Sequence, residues 1–342
     1  MAVQRRDLLL GTLATGLLRG RSAEAQSPAA PALLNDVLPG LESIDLWPDQ
    51  PPGLPRQAPQ ESLIERSAQP EIRDRAITGV VRPRLLVIRP ENPNGAAMMI
   101  IPGGAYQRVV IDKEGLEPGL WFAARGITVF ALIYRLPGDG WVAAPDVALA
   151  DAQRGMRLIR SHAAEFGFDP KHVASMGFSA GGHICARLAT GFSENFYPPV
   201  DTADTYSARP FVAAPIYPVI SMTGPAAHTG SRDTLIGQDA DEELQRTLSP
   251  QLHVPDDAPP CFLVHAEDDN GVDIRNTLDF RAALRARGIS VETHLFAHGG
   301  HGFGVREAQG KPVAAWPELL YSWSQSMGLI PACNKQPDLA GC

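Results

Sequence analysis

The sequence predicts an α/β domain with a mostly parallel central sheet and helices on both faces. Three observations predict it. Short continuous apolar runs recur along the chain, as strands buried on both faces require. Segments with apolar residues three and four apart separate those runs, as helices covering a sheet would. The glycine-rich and acidic turns that can carry chemistry follow the carboxyl ends of the runs, where parallel sheets present their sites. At 342 residues and 44% hydrophobic content, the chain can bury a large core.

Arg5-Arg6-Asp7-Leu8-Leu9-Leu10 opens the chain with a twin arginine, and a weakly apolar segment follows to Leu18. That segment is too short to span a bilayer, and Ala23-Glu24-Ala25 supplies an A-x-A cleavage site. Residues 1–25 therefore read as a twin-arginine signal peptide, which implies export to the periplasm or beyond. Its removal brings the net charge from −8 to about −10, since four arginines and two acidic residues leave with it. No basic cluster survives, which argues against nucleic acid and anionic membranes as partners, and with so short an apolar segment no stable membrane insertion is expected.

Residues 26–60, rich in proline, alanine and glycine, read as an extended linker leading into a domain over 61–330. Ile72 to Pro90 carries β-prone runs and predicts an antiparallel hairpin at the sheet edge. Ala96 to Ile101 predicts a buried strand that stops at Pro102-Gly103-Gly104-Ala105-Tyr106. Helix is expected over 116–125, closed by Gly126, then a strand over 127–134. From Asp146 to Phe166, the stripe of Leu149, Ala152, Met156, Ile159, Ala163 and Phe166 predicts one long helix with a core-facing side.

The stretch from His172 to Cys185 then carries the strongest local signal. Val173 to Phe178 predicts a strand that breaks at Gly177-Phe178-Ser179-Ala180-Gly181 and resumes as helix. A strand turning sharply into a helix through G-x-S-x-G is the nucleophile elbow, which exposes its serine hydroxyl at the strand's end. Phe211 to Tyr217 predicts another strand. The long insertion over 218–255, which holds His228, Ser231, Arg232 and Asp233, is expected to cap or line a site. Strands are expected over 261–265 and 291–296, with a helix from Ile274 to Arg287 between them and a last helix from Trp316 to Met327. The first of these strands runs into Glu267-Asp268-Asp269, and the second into His298-Gly299-Gly300-His301-Gly302.

Nucleophile, acid and histidine thus occur in the order that acyl-transfer chemistry uses on such a sheet. Ser179 is the candidate nucleophile and His301, flanked by glycines, the candidate base, ahead of His298. Among the acids, Asp269 is preferred because Val272 would anchor its loop in the core; Asp268 is second. The Gly103-Gly104 loop and Ala180 N–H form the candidate oxyanion hole. His183, four residues past Ser179, is expected to pack or hydrogen-bond structurally instead. Asp112, Glu114 and Asp146 are read as loop-bonding or capping residues. Arg232 is left open between a sugar contact and a salt bridge.

Cys185 and Cys261 fall in apolar segments and read as buried free thiols, while Cys333 and Cys342 bracket the tail 331–342 and could close a disulfide. No C-x-x-C, H-E-x-x-H or Cys/His cluster implies a metal, and no motif implies a cofactor.

From about Ala96 to Ile330 the chain resembles the acetyl-xylan-esterase-like branch of the α/β-hydrolase superfamily. The resemblance rests on PGGAY (102–106), DKEG (112–115), YRLPGDG (134–140), GFSAGGH (177–183), IYPVISM (216–222), HTGSRDTLIG (228–237), FLVHAEDD (262–269) and GGHGFG (299–304). It implies an α/β-hydrolase fold, a triad at Ser179, Asp269 and His301, and oxyanion donors around Gly104 and Ala180. It also implies removal of short acyl groups, acetyl above all, from a carbohydrate such as xylan, without a cofactor. The chain departs from the pattern at Ala105, where a third glycine is usual, and lacks the proline that often follows Val272. A feruloyl or general short-chain esterase is the alternative, and a catalytically silent carbohydrate-binding fold is the alternative from another class. The partner expected on either esterase reading is an acylated carbohydrate or a small ester.

Overall fold

The computed structural model describes residues 41–331. The expected signal peptide, the first part of the lead-in and the Cys333–Cys342 pair lie outside the described residues.

Ten strands form among the described residues: β1 (Glu42–Asp45), β2 (Ser62–Glu65), β3 (Arg75–Thr78), β4 (Arg84–Ile88), β5 (Ala97–Ile101), β6 (Thr128–Ile133), β7 (Val173–Phe178), β8 (Ala213–Ile216), β9 (Cys261–Ala266) and β10 (Val291–Phe296). Eight build one sheet in the order β1-β4-β6-β5-β7-β8-β9-β10. β1 and β4 pair antiparallel, β4 is antiparallel to β6, and every further pair is parallel. The carboxyl ends of β5, β7, β9 and β10 therefore share one edge, which brings four candidate loops together.

Alternation along β5 shows why an unbroken apolar run was needed. Ala97, Met99 and Ile101 enter one core, with residues of the helices α2 (Val147–Ser161), α4 (Ala180–Gly191) and α7 (Arg275–Ala286). Met98 and Ile100 enter the other, with α1 (Glu117–Ala123) and α8 (Trp316–Ser326). Each side of the strand is covered, so neither can be polar.

Three boundaries differ from expectation. No hairpin forms within 72–90: the antiparallel edge pair is made by β1 and β4, and β3 pairs with β2 in a separate two-stranded sheet. The domain begins before residue 61, because β1 lies within the stretch read as linker and Leu46 and Trp47 behind it are buried. The cause is one knot of polar groups. Trp47 Nε1–H donates to Asp151 at 2.9 Å, and buried Arg135 pairs with the same carboxylate while donating to Pro52 O at 2.7 Å. The long helix over 146–166 is interrupted at His162, so α2 is followed by the single-turn α3 (Ala163–Phe166). All six residues of its stripe are buried as expected.

Candidate active site

The elbow forms because only glycine fits around it. Ser179 is held at φ +53° and ψ −117°, a conformation that L-residues adopt only under constraint. A Cβ on Gly177 would lie 2.2 Å from Gly181 O, and one on Gly181 would lie 2.1 Å from Ile101 O. The constraint aims the Ser179 hydroxyl at the loop after β10. There Ser179 Oγ lies 2.9 Å from His301 Nε2, and His301 Nδ1 lies 2.7 Å from Asp269 Oδ2. The three residues singled out from the sequence thus meet in one hydrogen-bonded chain.

Asp269 is fully buried at its side chain. Its Oδ1 accepts from the N–H groups of Gly271 and Val272, each at 2.8 Å. Its Oδ2 is shared between His301 and a second histidine, His265, whose Nε2 is 3.1 Å away. Burial alone would raise this carboxyl. The hydrogen bonds from His265 and His301, the charge of His301 and the Val272 N–H outweigh it and hold Asp269 well below the usual carboxylate range.

His265 escaped the sequence reading. It sits on β9 and is fully buried; its Nε2 faces both Asp269 and Val272 O, so that nitrogen carries the proton. Its Nδ1 is 2.7 Å from the Thr277 hydroxyl on α7. The available signal was a lone histidine inside an otherwise apolar strand.

The neighbouring acid and histidine have separate work. Asp268 Oδ1 accepts from Gly299 N–H and Gly300 N–H at 2.8 Å each, shaping the loop that carries His301. Those two N–H groups hold the Asp268 carboxyl below its ordinary value. His298 is 79% exposed at its side chain and faces Asp268.

One expectation is corrected at the oxyanion loop. Gly103 N–H is already spent: it donates to buried Glu114 Oε2 at 2.8 Å. Its glycine is required for another reason, since a Cβ there would stand 2.6 Å from Phe178 O and 2.9 Å from Ser179 Cβ. Gly104 N–H has no partner among the described residues, and Ala180 N–H opens α4, where no intrahelical acceptor exists. The backbone is left-handed through Gly104, Ala105 and Tyr106, at φ +129°, +55° and +61°. Ala105 therefore bears strain that a glycine would not.

The polar residues around the loop hold it in place. Glu114 Oε1 accepts from the Tyr217 hydroxyl at 3.0 Å. The Tyr106 hydroxyl donates to His183 Nδ1 at 2.5 Å, and His183 Nε2–H donates to Leu248 O at 2.7 Å. Burial and the Arg187 charge push His183 down to about 3, so it stays neutral and structural, as its place on the helix implied. Asp112 pairs with Arg75, Asp146 with Arg187, and Arg232 with its neighbour Asp233. Asp146 makes no capping bond. Cys185 and Cys261 are buried free thiols.

The insertion reaches the site in two helices, α5 (Thr229–Ile236) and α6 (Glu242–Thr247). His228 caps α5: its Nδ1 accepts from Ser231 N–H at 3.2 Å.

Sheet order, elbow and the placing of serine, acid and histidine after β7, β9 and β10 define an α/β-hydrolase fold. The family model of BD-FAE matches residues 87–284, more than half of the chain, and the chain belongs to that family. Among curated relatives, endo-1,4-beta-xylanase B of Butyrivibrio fibrisolvens is 34% identical over 230 residues, covering 67% of this chain and 35% of that protein. The acetylxylan esterase of Xylanibacter ruminicola is 31% identical over 226 residues, covering 65% and 44%. The chain thus spans less than half the length of these relatives. Among solved structures, the acetyl ester-xyloside bifunctional hydrolase of Caldicellulosiruptor lactoaceticus superposes with a TM-score of 0.67 at 31% identity, covering 84% of this chain and 97% of that one.

Proposed function

We propose that this protein is an exported serine carboxylesterase that removes short acyl groups, acetyl first among them, from a carbohydrate such as xylan. The observation that carries the ester-hydrolase reading is the 2.9 Å approach of Ser179 Oγ to His301 Nε2, with Asp269 2.7 Å behind the ring. In this reading His301 Nε2 takes the Ser179 proton as Oγ attacks the acyl carbonyl. Gly104 N–H and Ala180 N–H stabilise the oxyanion, with Ala105 N–H beside them on the same left-handed turn. His301 returns the proton to the departing sugar oxygen, leaving an acyl-serine that water hydrolyses by the same steps in reverse order. Asp269, held far below neutral pH, stays ionised throughout and fixes the imidazole tautomer.

The carbohydrate part is supported by the relatives, two of which carry xylan-directed names and one an acetyl ester-xyloside activity. Export is supported by the twin-arginine segment in the sequence. No helix among the described residues is long and apolar enough to cross a membrane. The test follows acetate released from acetylated xylo-oligosaccharides by the wild type and by Ser179→Ala. Release by the wild type alone supports the proposal. Serine-dependent hydrolysis of p-nitrophenyl acetate with no release from the sugar would keep the esterase and discard the carbohydrate.

A further inference from the structure

A cleft of about 390 Å³ opens beside the Ser179–His301–Asp269 chain, between the first residues of the insertion and the loop that carries the acid. One wall is Pro225 to Thr229; the other includes Glu267, Asn270, Gly271 and Ile274. It abuts the reacting groups at Gly271, which packs so close to the imidazole that a Cβ there would lie 3.0 Å from His301 Cγ. The volume falls in the range of small-molecule sites, yet the walls are polar where such sites are mostly apolar. An acyl chain gains nothing there; a hydroxyl-rich group does.

Asp269 and Asp273 also line the cleft and are engaged, but other polar groups there are uncommitted. His228 spends its Nδ1 lone pair on Ser231 N–H, which leaves the ring proton on Nε2. Nε2 has no partner among the described residues, so it is an N–H donor of fixed direction. Burial, then the charge of His301, lowers the His228 pKa and keeps the ring neutral. The side chains of Thr229, Glu267 and Asn270, which line the cleft with it, likewise make no hydrogen bond among the described residues. No cation lines the cleft, and Arg275 at its rim is already paired with Asp273. Acceptors, donors and net negative charge together disfavour an anionic ligand and suit a neutral polyol.

We propose that this cleft is the subsite for the neutral glycosyl unit bearing the ester, and that His228 Nε2–H and Asn270 anchor its hydroxyls on the leaving-group side. The inference rests on the carbohydrate-ester reading above and adds to it where the sugar sits. It implies that uronic or phosphorylated sugar esters are poor substrates.

The test compares kcat/KM on acetylated xylobiose with kcat/KM on p-nitrophenyl acetate for the full chain, His228→Ala and Asn270→Ala. The expected result is a fall of about tenfold in the ratio of the two for each variant, the effect of one good hydrogen bond. Asn270→Ala leaves the α5 cap intact, so a fold defect at His228 does not obscure the answer. A ratio equal to that of the wild type in both variants overturns the subsite while leaving the esterase reading intact. A wild type that cleaves p-nitrophenyl acetate but no sugar ester overturns the subsite together with the carbohydrate reading.

Discussion

Asp269 receives two side-chain and two backbone N–H groups, which fill the acceptor sites of its carboxylate. Asp269→Asn keeps the shape but replaces an acceptor by an amide, so the imidazole loses its tautomer; kcat should fall by about 10⁴-fold in ester hydrolysis. The same carboxyl carries a pH signature. Its folded pKa lies below its unfolded value, so its contribution to stability is complete above about pH 4 and is lost as pH falls further. Denaturant titrations of the wild type should therefore show stability dropping on acidification below that point, and Asp269→Asn should show a shallower drop. His265→Phe is expected to cost about 1–3 kcal/mol, because Val272 O and the Thr277 hydroxyl each lose a buried partner. It should also lower kcat, though by much less than Asp269→Asn, since the Oδ2–His301 contact survives.

Among the elements, the Gly103–Tyr106 loop after β5 is tied down from two sides, by Glu114 through Gly103 N–H and by His183 through the Tyr106 hydroxyl. Tyr106→Phe leaves His183 Nδ1 buried without a donor. Thermal unfolding should register a loss of about 1–3 kcal/mol, with kcat/KM reduced through the loosened loop. The sequence made the elbow legible because its glycines answer hard steric limits: Gly181 has Ile101 O where a Cβ would go. Asp269 was legible through Val272, which is fully buried and anchors the turn. What stayed hidden was partner choice. A Gly-Gly pair after a strand looks equally fit to donate at either glycine, and only the fold brings Glu114, eleven residues on, to occupy Gly103 N–H. His265 was hidden for the same reason, since its role depends on Asp269 four residues later curling back to meet it. The expected edge hairpin does not form because β4 pairs with β1, from which it is separated in sequence by the two strands of another sheet.

Across the whole molecule, the sheet brings the ends of four strands to one edge, and distant segments lock that arrangement. The buried Arg135–Asp151 pair, closed by Trp47 and Pro52 O, fastens the segment after β1 to the helix α2. Asp151→Ala would leave a guanidinium buried without its counter-charge, and chemical denaturation should show a loss of about 3–5 kcal/mol. Everything at this edge serves Ser179 as the activated nucleophile. Its most direct measurement is peptide mass spectrometry after treating the chain with diethyl p-nitrophenyl phosphate, with His301→Ala treated in parallel. The expected product is one diethylphosphoryl group on the peptide carrying Ser179, formed much more slowly in the variant. Labelling of another residue, or ester hydrolysis that survives in Ser179→Ala, would contradict it.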